Sequence, residues 1–507
     1  MKSCFTTILL PLILAWPTYA KTYDVGPGQR YENIGSVPWN SLQSGDKVQI
    51  HYRSEPYREK FLISSRGTAT AHISVVGISG ANGEQPVVSG AQATTGTNMT
   101  YRWSTPEYQQ SLGVVEIGYR TNGPKPGFID VVNLTITGAV SSNTYTAQDG
   151  STQAFVKDAC GIHIYGAEHL FFSHMTITGN ANGFFAKSGG DETFVSRDIT
   201  VENSFIYGNG VIGSFLQHNF YTESDRVTVQ GNRFGMLITG ALGSILKDRS
   251  AGSVIRYNWF PTAARMLDLV EPQDGYTVLC ALPYYGQDFV YGNIFYSNGT
   301  DPAEMTKPIH YGGDSGTGFE RRGPLYFYQN TFVLERNQQE GWKMAIFEVT
   351  RNTAKIEIWN NIFANFPRTA GSPRIEMDVS GGTGSFIFGP NWVSPDWHMS
   401  FTGYPAFTGT VMGADHLISL SANDPGFVNV SAQDFHLTAK SGALNVAEGL
   451  PTAVKTNPLG TDFEALLQYK DPAQTEPRRS VRNDHDLGAF QGPAGPTPPQ
   501  GLEATVD

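Results

Sequence analysis

"VIRYNWF", residues 254–260, places β-branched residues ahead of an Asn and aromatic residues behind it, and that arrangement recurs along the chain. The recurrences are "VNLTI" at Asn133, "ENSFI" at Asn203, "GNRF" at Asn232, "GNIF" at Asn293, "QNTF" at Asn330, "NNIF" at Asn361 and "PNWV" at Asn391. From Asn203 onward the steps are 29, 26, 35, 37, 31 and 30 residues. "SHMTI", with His174 in the Asn place, divides the gap of 70 between Asn133 and Asn203. A unit of this length marks a stacked repeat. Its phrases are rich in Val, Ile, Phe, Tyr and Thr, which favour strands, and no long run shows the i, i+3, i+4 spacing of a helix.

Three short strands and three turns per unit, coiled so that each strand lies parallel to its counterpart in the next turn, fit both length and composition. Asn at a constant position then forms a ladder whose amides bond one another and the turn backbone. Phe205, Phe234, Phe260, Phe295, Phe332 and Phe363, each two residues past its Asn, are expected to stack inside the coil. A β-propeller needs about 40 to 50 residues per blade, more than most of these steps. The expected fold is all-β, a single-domain right-handed parallel β-helix over residues 21–491. A Pro- and Gly-rich tail, 492–507, is expected to be disordered.

The N-terminus, "MKSCFTTILLPLILAWPTYA", has Lys2, an apolar run and small residues near position 20, the pattern of a secretory signal spanning 1–20. No later run is long enough to cross a bilayer. The mature chain is therefore expected outside the cytoplasm, secreted or periplasmic. Cys160 and Cys280 remain after the signal; they are either a pair or two buried thiols. A net charge of −11 gives no basic footprint for nucleic acid, so a polyanionic substrate needs a local basic patch.

Stacking locates such a patch. The phrases "FLQHN" (215–219), "ILKDR" (245–249), "MLDLV" (266–270) and "PIHYG" (308–312) align by their apolar residues, with "AIFEV" (345–349) as a fifth. If Leu216, Leu246, Leu267 and Ile309 point inward, alternation puts Gln217, Lys247, Asp268 and His310 outside, followed by Asn219 and Arg249. A slip of one residue exchanges these for His218 and Asp248. Arg265 and Glu271 crowd the same band, and "KPIHYGGDSG" adds Tyr311 and Asp314 beside glycines. No zinc spacing, phosphate-cradling loop or Gly-x-Ser-x-Gly elbow is present.

The phrases "LKDRSAGSVIRYNWF", "LDLVEP", "FVYGNIFY", "IHYGGDSG" and "GPLYFYQNTFV" resemble a group of exported bacterial β-helix proteins described as polysaccharide-degrading. The likeness runs from about residue 22 to 490 and is strongest over 240–335. More distantly the chain is similar to the pectate lyase superfamily, in particular its chondroitinase B and alginate lyase branch. That branch uses a Lys and an Arg on neighbouring turns of the outer face, whereas Lys247 and Arg249 share one strand. It also implies a calcium ion (Ca2+), for which Asp268 and Glu271 are the candidate ligands.

Three functions follow. β-Elimination on an acidic, uronate-containing polysaccharide needs a cation for the substrate carboxylate, a base and a proton donor. Arg249 suits the first role, Lys247 the second, and His218, His310 or Tyr311 the third, with Asp268 completing the catalytic band. Gln217, Asn219, Asp248, Arg265, Glu271 and Tyr311 are then the substrate-binding candidates; an epimerase would share the proton abstraction. Glycoside hydrolysis needs two carboxylates, drawn from Asp248, Asp268, Glu271 and Asp314. A non-catalytic carbohydrate-binding protein is the third reading.

Overall fold

Asn232, Asn258, Asn293, Asn330, Asn361 and Asn391 form one continuous ladder through the molecule. The backbone N–H and side-chain amide of each Asn donate to Oδ1 of the next, at 2.8–3.1 Å. Each amide also donates to a main-chain carbonyl of the preceding turn, as Asn293 does to Ile255 at 2.9 Å. The computed structural model describes residues 20–102, 106–120, 122–298, 307–335, 343–366, 376–395, 397–401, 403, 406–419, 424–478 and 486–493. The proposed signal segment, apart from Ala20, and all of the tail beyond Pro493 lie outside them.

Around the ladder the chain winds as a right-handed parallel β-helix with three long sheets of 13, 14 and 11 strands, each strand paired with its counterpart one turn on. An apolar core runs through the coil from Tyr23 to Val393. Phe234, Phe260, Phe295 and Phe332 stack within it, at centroid distances of 5.0, 5.0 and 6.1 Å.

The ladder differs from the sequence reading at its start. Asn133, His174 and Asn203 sit one residue early, with φ of 60°, 56° and 49°. That is the left-handed turn position occupied by Gly231, Tyr257, Gly292 and Gln329 in the later turns, and Asn tolerates it better than most residues. Ser204 takes the ladder place, its N–H donating to Asn232 Oδ1 at 3.0 Å. Phe205 is accordingly exposed, and Ile206 pairs with Phe234 instead.

Residues 427–478 and 486–490 do not continue the coil but lie along its outside. Phe427, Phe435, Leu437 and Phe490 cover Trp259, Ile294, Val333 and Trp392 on the outer face of the 11-stranded sheet. Val454 and Phe463 cover Val254, Phe289 and Tyr326 on that of the 13-stranded sheet. Over these turns the third sheet is the one whose outer face this segment leaves uncovered. Cys160 and Cys280 are free thiols, the first buried and the second half-buried. No helix among the described residues is long and apolar enough to cross a membrane.

Candidate functional site

The third sheet carries the polar band. Its register sets Tyr221, Lys247, Asp268, His310 and Glu348 in one column. Inside them, Phe220, Leu246, Leu267, Ile309 and Phe347 are fully buried. The expected alignment holds for three of the five phrases, "ILKDR", "MLDLV" and "PIHYG"; in a fourth, "AIFEV", it is displaced by one residue, Phe347 rather than Ile346 standing opposite Ile309. In the fifth the strand is Phe220–Thr222 rather than "FLQHN": Leu216 is exposed, and Phe220 enters the core and stacks on Phe184 at 4.8 Å. Two apolar–polar phrases stand side by side here, and the larger ring fills the interior.

Alternation then sorts the charges of "LKDR". Lys247 and Arg249 face outward; Asp248 turns in, bound by Thr222, Ser250 and Ser253 and by the fully buried Arg321 at 2.7 Å. Burial pushes the Asp248 carboxyl up, but Arg321 and the hydroxyls more than offset this and hold it below its ordinary value. Asp248 is thus part of the coil's frame, away from the outer face.

Outside, the groups converge. Lys247 Nζ lies 2.6 Å from Asp268 Oδ2 and 2.5 Å from Asp314 Oδ2. Arg249 donates to Asp314 Oδ1 at 2.6 Å, to the Tyr221 hydroxyl at 2.8 Å and to the Glu271 carbonyl at 2.6 Å. His310 Nδ1 meets Asp268 Oδ1 at 2.7 Å, and its Nε2 is 3.2 Å from the Thr350 hydroxyl. Burial raises the Asp268 and Asp314 carboxyls, yet their partners outweigh it: Lys247 and the hydrogen bond with His310 hold Asp268 well below its ordinary value, and Lys247 and Arg249 hold Asp314 low.

Asp314 reaches this point from the turn after Ile309–Tyr311. Gly312 has φ 133°, and a Cβ there would stand 2.5 Å from Thr350 Oγ1, so a side chain is excluded. Glu271 fixes the turn by accepting from the N–H groups of Asp314 and Ser315, both at 2.9 Å, and from the Ser315 hydroxyl at 2.7 Å.

The other candidates fall as follows. His218 is buried, and its Nδ1 accepts the Ser244 N–H at 2.8 Å, which puts the ring proton on Nε2. Burial, with Lys247 nearby, lowers its pKa to about 3, so the ring is neutral. Asn219 belongs to a second ladder with Asn180 and Asn209. Gln217 bonds Asp158. Arg265 pairs with Glu348 at 2.7 Å. Tyr311 points into the core, its hydroxyl on the Gly286 carbonyl and Asp288.

Tyr221 is the member that sequence reasoning missed; aligning Phe220 with Leu246 would have found it. Burial raises its phenol above the ordinary value and keeps it protonated.

Calcium does not fit the two carboxylates assigned to it. Both Asp268 oxygens are engaged by Lys247 and His310, and both Glu271 oxygens by the 314–315 turn. Among the described residues no group of three or more His, Cys, Asp or Glu side chains is placed to hold a metal ion.

No protein-family model matches the chain, and no curated protein matches it. Solved structures of similar course include an alginate lyase from Paenibacillus sp. str. FPU-7, 12% identical, with 72% of this chain and 97% of that one covered and a TM-score of 0.42. A pectate lyase, Pel9A, is 13% identical over 94% of this chain and 97% of its own, with a TM-score of 0.42. A lacto-N-biosidase from Eubacterium ramulus is 12% identical over 79% and 68%, with a TM-score of 0.45. Likeness at this level concerns the coil alone.

Proposed function

We propose that the chain is an exported carbohydrate-active enzyme that cleaves a uronate-containing polysaccharide by β-elimination. The observation that carries this reading is the meeting of Lys247 and Arg249 on a single carboxylate, that of Asp314. A pair of cations built to hold one carboxylate is what the reaction needs, because neutralising the uronate acidifies its C5–H and stabilises the enolate-like intermediate. The guanidinium is held on three sides and stays charged, suiting it to a fork contact with the substrate.

An ammonium bracketed by Asp268 and Asp314 neutralises charge, so the base falls to His310 rather than Lys247. With its Nδ1 proton donated to Asp268, the ring has Nε2 as acceptor, which exchanges its 3.2 Å contact with the Thr350 hydroxyl for the substrate. His310 takes the C5 proton, the C4–O bond breaks as the C4–C5 double bond forms, and the leaving oxygen takes its proton from Tyr221. Hydrolysis is less well supported. It needs two carboxylates flanking the bond, and Asp248, Asp268 and Glu271 are each buried and engaged, which leaves Asp314 alone.

The test is to incubate the protein with a panel of uronate polysaccharides and read ultraviolet absorbance of the unsaturated product and reducing ends from the same samples. β-Elimination raises both, and Arg249→Ala abolishes both. Reducing ends without absorbance would replace the reading with hydrolysis, and silence in both across the panel would favour a binding protein.

A further inference from the structure

Along the same outer face, toward the N-terminus, the column continues through Phe185, His163 and Glu116. These residues lie in a cavity of about 310 Å³ whose walls include Arg102, Tyr108, Tyr165 and Lys187. Its size is at the lower end of the range that takes small ligands. Two of its lining groups are charged yet incompletely bonded. Glu116 is buried with no hydrogen-bond partner on Oε1 among the described residues, and its Oε2 is 3.7 Å from His163 Nδ1, beyond hydrogen-bond reach. Arg102 lies 4.9 Å over the Tyr165 ring with its Nε likewise unpartnered. Buried polar atoms without partners are rare and point to a missing ligand or water.

The cavity is also an end. The next outward residue in the column, Leu62, pairs in register with Glu116 and is fully buried, with Met99 Sδ 3.1 Å from its backbone N–H. An extended polymer lying along this face therefore cannot run on past Glu116. Rungs are about 4.8 Å apart, so Phe185 stands roughly 10 Å and Glu116 roughly 19 Å from Lys247 along the axis. A 1,4-linked pyranose advances by about one rung. Phe185 stacks on Tyr221 at 4.6 Å, so the cavity and the cation pair share one continuous floor.

We infer that this cavity is a terminal subsite that binds the end sugar of the polysaccharide, Glu116 accepting from its hydroxyls and Arg102 meeting its carboxylate. The inference rests on the proposed cleavage at Lys247 and Arg249 for its meaning. It implies that the enzyme works inward from one chain end and releases short products of nearly uniform length, roughly two to four residues from the rung count.

Two measurements test it. The first is calorimetric binding of tetragalacturonate and tetramannuronate to the unmodified and Glu116→Gln chains. The second is chromatographic sizing of the earliest products from the unmodified chain, which reads length whatever the bond-breaking chemistry. The inference expects Glu116→Gln to bind one tetramer tenfold or more weakly than the unmodified chain with circular dichroism unchanged, and a single short product from the outset. A ladder of product lengths at early times, or equal binding by Glu116→Gln and the unmodified chain, overturns the subsite while leaving the cleavage reading intact. Uniform products without ultraviolet absorbance overturn β-elimination and uphold the subsite. Failure of the unmodified chain to bind either tetramer, or to shorten either parent polymer, overturns the subsite.

Discussion

Lys247, on the strand Ser244–Asp248, and Arg249, which directly follows that strand, reach the two oxygens of the same Asp314 carboxylate at 2.5 and 2.6 Å. Strand alternation puts both cations on the outer face, and the Glu271-held turn delivers the carboxylate between them. In this account Asp314 occupies the place a uronate carboxylate would take. Asp314→Asn then removes a competing charge, and the KM for polymer falls by up to about tenfold, an effect of 1.4 kcal/mol. Steady-state kinetics on a soluble uronate polymer reads it directly.

Arg249→Lys keeps the charge but cannot span Tyr221, the Glu271 carbonyl and Asp314 together. A loss of roughly 10²–10³ in kcat/KM is expected, the scale of removing one preorganised donor to a developing anion. Tyr221→Phe deletes the proposed proton donor and should lower kcat by about 10²–10⁴ while polymer binding holds. Calorimetric binding alongside turnover separates the two variants.

His218 makes stability sensitive to acid. Its folded pKa of about 3 lies below the ordinary value of 6.5, so between those limits the unfolded chain binds a proton that the folded one refuses. The His218 contribution is fully present above pH 6.5 and is lost as pH falls toward 3. Asp268 and Asp314, with lowered carboxyls, act in the same direction but below about pH 4. Comparing His218→Gln with the unmodified chain in urea melts between pH 4.5 and 7 should therefore show a shallower acid slope in the variant.

Arg321→Met tests the claim that Asp248 is a frame residue. The guanidinium is fully buried and satisfies Asp248 and Asp288 at 2.7 and 2.6 Å. Its loss leaves two carboxylates buried without a counter-charge, at a cost of about 3–5 kcal/mol. Chemical denaturation should show this loss. If Asp248 instead served as a hydrolytic carboxylate, Asp248→Asn would remove turnover with the denaturation midpoint unchanged.

Asn293→Ala should cost about 3 kcal/mol or more. It deprives the Asn258 N–H and amide of their acceptor, and removes the side-chain donor to the Ile255 and Tyr291 carbonyls and to Asn330 Oδ1, all inside the coil. The unfolding midpoint in guanidinium checks it.

How much of this was legible depended on how strongly a single position was constrained. From Asn232 to Asn391 the ladder place admits one side chain, so its period shows openly in the sequence. At Asn133, His174 and Asn203 the same-looking residue answers a different demand, a left-handed turn, and the register slips by one. Lys247, Asp268 and His310 were found because each follows a buried aliphatic residue. Tyr221 was missed because "FLQHNFY" offers two apolar anchors, and only packing against Phe184 decides between them. Asp314 and Glu271 meet across 43 residues through a turn, a contact that no local pattern announces.

The most direct test of the central claim is a paired assay on one uronate polymer, native and carboxyl-reduced, at matched chain length. If Lys247 and Arg249 act on a substrate carboxylate, the native polymer is cleaved with rising ultraviolet absorbance and the reduced polymer is turned over at least 100-fold more slowly, a loss of about 2.7 kcal/mol in transition-state binding. Equal cleavage of both polymers would contradict the account.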